Sequence, residues 1–347
     1  MLDTLIIGGG PAGLATAIAL AMRGRQPVVL EQHTGTLDKA CGEGLMPATW
    51  RDLHTLGVQP TRVHPFVGIR YQTGTSWADG FFPQGPGHGV RRLHLHEALS
   101  RRVDQLGIER RVHRATDIRQ DSEGVTVDGF RARYLVAADG LRSPTRHALG
   151  LNVPSRRSPR LGQRQHFTCA PWSPFVEVHW AEDIEAYVTP VDAQTVGVAF
   201  LFSPGAQTRG SGTPFENLMA HLPVLRERLA DAPPASHVRG AGPFAQISRS
   251  PVAGRTLLVG DAAGYLDPLT GEGLKLAISG ALAAADAIAE ENVSAYAPRW
   301  RAAYRRYWWP TAGLLAMTRS RLVRRWMVPV LRRTPALFDR ILGVVGG

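Results

Sequence analysis

The chain has 347 residues, 44% of them hydrophobic, and a formal net charge of +11. This length allows a large core and about two domains. Its two cysteines, Cys41 and Cys169, cannot form a disulfide framework and suit a reducing cytoplasm. No run approaches the roughly 20 apolar residues that would span a bilayer, and no charged-then-apolar leader precedes the first predicted strand. We therefore expect a cytoplasmic globular protein.

The N-terminus predicts a strand, a glycine turn, a helix and a second strand. Residues 5–7 form an apolar run, residues 14–22 are rich in alanine, and residues 27–30 form a second apolar run that ends at Glu31. The turn between the first strand and the helix reads Gly-Gly-Gly-Pro-Ala-Gly over residues 8–13. This arrangement is typical of dinucleotide binding.

Three glycines of the turn have separate physical uses. Gly8 allows the tight strand-to-helix turn, Gly10 lets a pyrophosphate approach the backbone, and Gly13 lets the helix pack closely on the strand. The N-terminus of the helix supplies amide donors and a partial positive charge. Glu31 can accept hydrogen bonds from ribose hydroxyls and would repel a 2′-phosphate. A glycine turn that binds no ligand is the alternative.

Two further glycine signatures follow the same kind of strand. Residues 134–137 lead into Ala138-Asp139-Gly140, with Arg146 shortly after, and residues 256–259 lead into Gly260-Asp261. A long helix, Gly273–Ala289, follows the second of these signatures. The order and spacing of all three predict one FAD bound across a doubly wound α/β domain. Asp139 follows a strand at the carboxyl edge of the sheet, where such folds bind ligands, although a solvent-exposed Asp-Gly turn would look the same.

Segments with strand-like alternation lie between the signatures and predict a mostly antiparallel sheet over the cofactor. We expect strands at 67–77, 164–167, 175–180, 186–190 and 195–202, and a helix at 214–229. The predicted fold class is therefore α/β, with a Rossmann-like FAD-binding domain (1–62, 89–150 and 245–297), an inserted substrate domain (63–88 and 151–244) and a helical C-terminal segment (298–347). A helix near 93–106 and a strand at 108–112 complete the FAD-binding domain.

The C-terminal segment carries most of the positive charge. It contains eleven arginines and one acidic residue, Asp339, with tryptophan and tyrosine side chains between them. Such a segment suits the surface of an anionic membrane, or it is a helical cap whose arginines are solvated. It contains no nucleic-acid motif, so nucleic acid is not an expected partner.

The signatures resemble those of a known family over most of the first 290 residues. The run 134–146 resembles the middle fingerprint of the flavoprotein aromatic hydroxylases, the single-component FAD monooxygenases of the para-hydroxybenzoate hydroxylase fold. The run 260–273 is similar to their third fingerprint, and more so to that of the geranylgeranyl reductases, which share the fold. Arg92 begins a helix where the family places an FAD-contacting arginine. The resemblance implies bound FAD and NAD(P)H as a transient electron donor. No metal is expected.

The sequence and this resemblance together give a set of candidate site residues. We expect the following to bind FAD: Gly8, Gly10, Pro11, Ala12, Gly13, Glu31, Gln32, Cys41, Gly42, Arg92, Val112, Asp139, Gly140, Gly260, Asp261, Pro268, Gly271, Gly273 and Leu274. Cys41 is the candidate catalytic residue, with a small buried residue in a glycine loop as the alternative. His166, His179 and Tyr187 are weaker candidates for polar groups over the flavin, because strand alternation does not say which face they occupy.

Two departures place the chain between the hydroxylases and the reductases. Gly264 stands where the hydroxylases usually have histidine. Glycine at this position is typical of the reductases. Residues 41–45 resemble the Cys-Gly-Gly segment that reductases place beside the flavin, yet residues 186–190 lack the tryptophan of their lipid-pocket motif. No second Gly-x-Gly-x-x-Gly follows a strand, which favours a transient encounter with NAD(P)H.

Four functions follow from the family. The first is an NAD(P)H-dependent monooxygenase that hydroxylates a lipophilic or phenolic, polyketide-like substrate through a flavin C4a-hydroperoxide. The second is a reductase of isoprenoid double bonds, with Cys41 as a proton donor. A flavin-dependent halogenase is disfavoured because the chain has only Lys39 and Lys275 and lacks the halogenase Trp-x-Trp-x-Ile-Pro motif. A non-catalytic FAD-binding scaffold is disfavoured because the flavin-edge loops are complete.

Overall fold

The computed structural model describes residues 1–155, 158–319 and 321–346. Helices in this part of the chain follow one another from the glycine turn to the C-terminus. In chain order they are α1 (Pro11–Ala21), α2 (Pro47–Thr55), α3 (Arg92–Gln105), α4 (Pro144–Ala148), α5 (Pro214–Ala220), α6 (Pro223–Arg228), α7 (Gly273–Ala289), α8 (Tyr296–Arg319), α9 (Arg321–Arg333) and α10 (Pro335–Gly346).

The strands of the described residues fall into two large sheets and two small ones. In chain order they are β1 (Leu2–Ile7), β2 (Pro27–Glu31), β3 (Gly44–Leu45), β4 (His64–Phe66), β5 (Gly68–Thr73), β6 (Ser76–Phe81), β7 (Gly87–Gly89), β8 (Glu109–Val112), β9 (Ile118–Gln120), β10 (Val125–Val127), β11 (Phe130–Ala137), β12 (Asn152–Val153), β13 (Leu161–Thr168), β14 (Phe175–Trp180), β15 (Ile184–Asp192), β16 (Thr195–Phe202), β17 (Arg239–Ala241), β18 (Gln246–Ser248), β19 (Val252–Ala253), β20 (Thr256–Leu258) and β21 (Gly264–Tyr265).

The first large sheet is the nucleotide-binding sheet. Its strand order is β19-β20-β11-β1-β2-β8, and the β9–β10 hairpin extends from β11. Strands β20, β11, β1, β2 and β8 pair in parallel. Parallel strands covered on both faces form near-continuous apolar runs, as in Leu5, Ile6 and Ile7, which are all buried. Helices α1, α3 and α7 share one core cluster with this sheet. The predicted fold class is confirmed.

The second large sheet lies in the predicted substrate domain. Its strand order is β17-β13-β16-β15-β14-β5-β6, antiparallel throughout except for the parallel pair β14–β5. One face packs on α5 and α6 around Phe200 and Phe215. The other face packs against α8, α9 and α10 around Val178 and Phe338. The two small sheets are β12-β18-β21 and β3-β7-β4.

The C-terminal helix α10 lies directly on β6. A Cβ atom at Gly80 would lie 2.7 Å from Cγ of Phe338 and 2.8 Å from Cδ1 of Leu342, so only glycine lets the helix approach this closely. The backbone N–H of Phe81 donates to Oδ1 of Asp339 at 2.7 Å. The acidic residue of the C-terminal segment is therefore used to attach the segment to the sheet.

Two predicted elements were wrong. The single strand expected at 67–77 is a hairpin of β5 and β6, because Gly74, with φ of 56°, turns the chain back. The single helix expected at 214–229 is two helices, α5 and α6. Pro223 has no backbone N–H to donate inside a helix, so it begins the second helix instead. The domain boundaries remain predictions. Among the described residues, no helix is both long enough and apolar enough to span a membrane.

We expect the attachment of α8 to the loop before α7 to depend on one tyrosine. The hydroxyl of Tyr307 accepts from the backbone N–H of Asp267 at 2.9 Å and donates to its carbonyl at 2.8 Å, in a buried setting. Tyr307→Phe removes both hydrogen bonds, so it should lower the free energy of unfolding by about 1–3 kcal/mol. Urea denaturation measures this change. Trp309→Phe, at an exposed position of the same helix, should change it by less than about 0.5 kcal/mol.

Candidate functional site

One large cavity joins the two sheets and the C-terminal helices. Its volume is about 1330 Å³. All but three of the predicted FAD-binding residues line it. These are Gly8, Gly10, Pro11, Ala12, Glu31, Gln32, Cys41, Gly42, Arg92, Asp139, Gly140, Asp261, Pro268, Gly271, Gly273 and Leu274. The three sequence signatures thus meet at one wall of one cavity.

The three other predicted residues are not on the cavity wall. A Cβ atom at Gly13 would lie 1.8 Å from the carbonyl oxygen of Gly8, and one at Gly260 would lie 2.8 Å from Cβ of Ala12. Both glycines therefore serve the close packing of helix and strand. Val112 ends β8 and is 67% exposed. None of these three side-chain positions faces the site.

The glycine turn combines tight packing with one open position. Gly8, with φ of 105°, lies against the carbonyl of Ala138, where a Cβ atom would come within 2.4 Å of the oxygen. A Cβ atom at Gly10 would meet only Nη2 of Arg92, at 3.9 Å. The backbone of Gly10 is therefore exposed to the cavity, as a pyrophosphate at the N-terminus of α1 requires.

Glu31 is held in place by the turn it faces. Its Oε2 accepts from the N–H of Gly9 at 2.7 Å, and its Oε1 accepts from the N–H of His33 at 2.9 Å. Each carboxylate oxygen has a further lone pair. The fixed carboxylate can therefore accept hydrogen bonds from ribose hydroxyls at this end of the cavity.

Asp139 and Arg146 organise the middle signature. The carboxylate of Asp139 accepts from Oγ of Ser143 at 2.5 Å and from the N–H of Thr145 at 2.9 Å, which fixes the start of α4. Arg146 is completely buried, and its Nη1 donates to the carbonyls of Asp261 and Ala262 at 3.3 and 3.0 Å. The middle and third signatures are therefore joined directly.

The third signature brings a carboxylate and a helix N-terminus to the cavity. Asp261 lies on the cavity wall, where burial raises the pKa of its carboxyl despite the nearby charges of Lys39, Arg92 and Arg146. Gly271, with φ of 69°, lies two residues before α7, and Gly273 begins the helix. Amide donors at this N-terminus can stabilise negative charge on a flavin.

The buried guanidinium of Arg92 shows whether the site fits FAD. Its guanidinium is buried on the cavity wall, and its Nη1 has no hydrogen-bond partner among the described residues. Burial lowers the pKa of Arg92, although Cys41, Glu43 and Asp261 oppose this. A buried cationic donor without an acceptor is costly. A pyrophosphate next to the open backbone of Gly10 would satisfy it, so the residues present fit FAD.

The loop that carries Cys41 is anchored to the second sheet through Glu43. Glu43 has φ of 60°, a strained value for a residue other than glycine. Its Oε1 accepts from the N–H of Arg92 at 2.7 Å, and its Oε2 lies 2.5 Å from Nε2 of His166 on β13. Burial raises the pKa of the Cys41 thiol, which favours the protonated form. The loop therefore presents a neutral thiol at a fixed place on the wall.

The weaker candidates lie in three different environments. His166 is fully buried against Glu43 and is a structural anchor. His179 pairs with Glu177 at 3.1 Å, and neither residue lines the cavity. Tyr187 lines the cavity, and its hydroxyl donates to the carbonyl of Leu269 at 2.9 Å.

A buried charge cluster behind Tyr187 was missed from the sequence. Arg160 pairs with Glu185 and Asp267, each at 2.9 Å. Burial raises the pKa of Glu185 against the opposing effect of Arg160, and burial also raises the pKa of Tyr187. Tyr187 is therefore a neutral phenol. The alternation of β15 could have shown that Glu185 and Tyr187 share a face, but nothing local indicates the partners of Arg160.

The end of the cavity away from the glycine turn is apolar, and we call it the apolar chamber. Strands β5 and β14, the loop before α7 and helices α8 to α10 form it. Its lining side chains are Met46, Ile69, Tyr71, Val176, Val178, Tyr187, Tyr265, Leu269, Leu314, Met327, Leu331, Phe338 and Leu342. Charged groups occur at the other end. The cavity therefore has a polar part suited to a dinucleotide and an apolar part suited to a lipophilic molecule.

Fold and site together define a flavoprotein with an FAD-binding α/β domain and a substrate sheet. The family model described as "FAD binding domain" matches residues 1–67 and 89–300. The chain belongs to this family and is an FAD-dependent oxidoreductase.

Individual relatives show two kinds of activity. The chain is 28% identical over 340 residues to digeranylgeranylglycerophospholipid reductase 1 of Methanopyrus kandleri, covering 87% of each chain. It is 32% identical over 173 residues to rifampicin monooxygenase of Streptomyces venezuelae, covering 46% of this chain and 36% of the relative. A flavoprotein/dehydrogenase structure from Cytophaga hutchinsonii aligns with a TM-score of 0.88 at 18% identity, over 99% of this chain and 92% of that one. This last similarity concerns the fold.

Two glycine substitutions should separate loss of FAD from loss of the fold. Gly10→Val places methyl groups in the open part of the cavity, so FAD binding should weaken at least about tenfold while the FAD-free protein keeps its melting temperature. Gly13→Ala puts a methyl group into the carbonyl of Gly8, so it should destabilise the FAD-free protein itself. Flavin fluorescence titration and thermal melts measure the two effects. Tight FAD binding by Gly10→Val would contradict this placement of the pyrophosphate.

Proposed function

We propose that the protein hydroxylates a phenolic substrate that carries a long apolar group. The observation that supports this most directly is the apolar chamber, which continues from the FAD site and has the hydroxyl of Tyr187 on its wall. The chamber would hold the apolar group, and Tyr187 would bind the phenolic hydroxyl beside the flavin.

The chamber favours a lipophilic substrate. Val176 and Val178 on β14, Leu331 on α9 and Phe338 on α10 are all buried in one cluster, and they also line the cavity. Burial of hydrocarbon against such a wall contributes roughly 25 cal/mol per Å² of apolar surface. A substrate that fills the chamber would displace water from these apolar walls, which limits the unproductive decay of activated oxygen.

Tyr187 favours a substrate that carries a hydroxyl group. Its hydroxyl donates to the carbonyl of Leu269 at 2.9 Å, and Oε2 of Glu185 is a second acceptor at 3.3 Å. Because its proton is used within the protein, toward a ligand its oxygen can only accept a hydrogen bond. A phenolic hydroxyl can donate to it, and this hydrogen bond makes the aromatic ring more electron-rich. An unsubstituted hydrocarbon chain cannot use this group.

The overall reaction requires two co-substrates besides the phenol. One phenol, one O₂, one NAD(P)H and one proton give the hydroxylated phenol, water and NAD(P)⁺. Bound FAD supplies the capacity to take a hydride from NAD(P)H and to activate O₂. In this reaction Tyr187 would hold the phenol, the apolar chamber would hold its hydrocarbon group, and the amide donors at the N-terminus of α7 would stabilise negative charge on the cofactor.

Reduction of an isoprenoid double bond is the second candidate, and two observations favour it. The reductase relative aligns along most of both chains, and the Cys41 thiol on the cavity wall is held protonated by burial. In this reaction one double bond, one NAD(P)H and one proton give the saturated bond and NAD(P)⁺. Cys41 would deliver the proton, and no O₂ would be consumed.

Hydroxylation predicts that NAD(P)H oxidation and O₂ uptake are coupled and depend on chain length. We expect para-alkylphenols to stimulate both in a one-to-one ratio, with KM falling as the alkyl chain lengthens. Tyr187→Phe should lower kcat/KM at least about tenfold because the phenol loses its hydrogen-bond acceptor, while FAD binding is unchanged. Tyr71→Phe, the same substitution at another tyrosine of the apolar chamber, serves as the comparison. Unchanged kcat/KM in Tyr187→Phe would contradict this role.

Cys41→Ala separates the two candidate reactions. Under hydroxylation the variant should keep most of its turnover, since no step needs the thiol as an acid. Under double-bond reduction it should bind FAD but lose turnover of a geranylgeranyl lipid assayed anaerobically with dithionite as the electron source. If the wild-type protein saturates that lipid without O₂ and leaves alkylphenols unchanged, the hydroxylase proposal is wrong.

A further inference from the structure

The two C-terminal helices expose a band of large apolar side chains. Trp326 and Val330 on α9 are 54% and 47% exposed, and Leu337, Ile341 and Val344 on α10 are 49%, 44% and 69% exposed. The spacings, four residues on α9 and four then three on α10, place each set along one helix face. We call these five residues the apolar rim.

The apolar rim lies at a mouth of the apolar chamber. Trp326, Val330 and Ile341 are exposed to solvent and also line the cavity. Other side chains of the same helices, such as Val328 and Phe338, are buried in the core. The chamber therefore opens to the outside between α9 and α10, and the opening is surrounded by apolar rather than polar groups.

Positive charge surrounds the apolar rim. Arg332 and Arg333 are exposed at the end of α9, and Arg340 is exposed beside Ile341 on α10. The segment from residue 298 onward has eleven arginines against one acidic residue. That residue, Asp339, accepts a hydrogen bond from the backbone of β6. The surface therefore combines exposed tryptophan and aliphatic groups with arginines whose charge is not neutralised within the segment.

We propose that this surface binds an anionic phospholipid bilayer, with the mouth of the chamber facing the lipid. Amphipathic helices with large apolar groups on one side and arginines beside them lie in the interface of such membranes. Nucleic acid would pair with the arginines, but it offers nothing to cover Leu337, Ile341 and Val344. The entry of the substrate from the lipid rests on the proposed function, whereas the binding of the surface to lipid does not.

Vesicle binding of the full-length FAD-loaded protein tests the proposal without any substrate. Vesicles of phosphatidylcholine with one third phosphatidylglycerol should retain the protein at low salt, and pure phosphatidylcholine should retain at least about tenfold less. Each arginine close to an anionic surface contributes about fivefold to partitioning. The triple variant Arg332→Glu, Arg333→Glu, Arg340→Glu should therefore lower partitioning by about 100-fold or more.

A charge-matched control distinguishes the surface from overall charge. Arg119→Glu, Arg209→Glu, Arg226→Glu changes the net charge equally at exposed positions outside the C-terminal segment, and it should keep at least half of the binding free energy of the wild type. Flavin absorbance and the melting temperature establish that both variants are folded. An equal loss in both variants overturns the proposal, and so does negligible binding of the wild type to both kinds of vesicle. Tighter retention by duplex DNA than by anionic vesicles also overturns it.

The depth of Trp326 gives a second measurement that does not depend on charge variants. Lipids brominated along the acyl chain quench only tryptophans that enter the bilayer. We expect quenching in the wild type and its reduction by at least half in Trp326→Phe. Trp172 lies outside the C-terminal segment, on the α6 side of the second sheet. Trp172→Phe should therefore be quenched as much as the wild type. Quenching that is equal in all three proteins would overturn the orientation with the mouth toward lipid.

Discussion

The arrangement of the site depends on the buried guanidinium of Arg146. An arginine stays charged inside a protein, so its burial is tolerated only where acceptors meet its N–H groups. Here the acceptors come from four separate places: the carbonyls of Leu141, Asp261 and Ala262, and the side chains of Asn152 and Gln246. The backbone of Asp261 is thereby fixed relative to the turn that Asp139 organises. Two signatures more than 100 residues apart become parts of one rigid wall.

A gradient of polarity along one cavity links the fold to its chemistry. At one end of the cavity, the exposed backbone of Gly10 and the Nη1 of Arg92, which has no partner among the described residues, are suited to bind an anion. At the other end, strand β14 and helices α9 and α10 contribute apolar side chains, and Tyr71, Tyr187 and Tyr265 on other strands contribute phenol rings. A ligand with a charged nucleotide would fit the polar end of the cavity, and a second ligand with a hydrocarbon tail would fit the apolar end. The Cys41 loop, which Glu43 joins to the second sheet, lies on the wall of the same cavity.

The nucleotide half of the molecule could be predicted from the sequence because its signals are local. Gly8, Gly10 and Glu31 lie within one strand-helix-strand unit, and the helix Gly273–Ala289 was predicted with the bounds that the structure gives it. The substrate half is determined by contacts between distant residues. Glu43 and His166 are 123 positions apart. The hydrophobic periodicity of the sequence does not indicate a pair of this kind. It does not indicate the pairing of Arg160 with Glu185 either.

The same reasoning explains the two elements that were predicted wrongly. Gly74 lies inside an alternating run whose periodicity favours one strand, and only the left-handed φ of this glycine reverses the chain to give β5 and β6. Pro223 lies inside a helical pattern and can be accommodated only as a first-turn residue. In both cases a single backbone constraint overrides the hydrophobic pattern on either side of it.

The residues that would distinguish hydroxylation from reduction lie at the junction of the two halves. Gly264 has φ of 135°, and a Cβ atom there would lie 3.4 Å from the hydroxyl oxygen of Tyr304 on α8. The backbone conformation disfavours any side chain at this position, including the histidine usual in hydroxylases, and α8 already covers it. The chain thus resembles the reductases in sequence at Gly264 and Cys41, whereas the proposed hydroxylation depends on Tyr187 as a hydrogen-bond acceptor for a phenol. Because a shared fold does not decide the reaction, the proton and oxygen chemistry at Cys41 and Tyr187 must decide it.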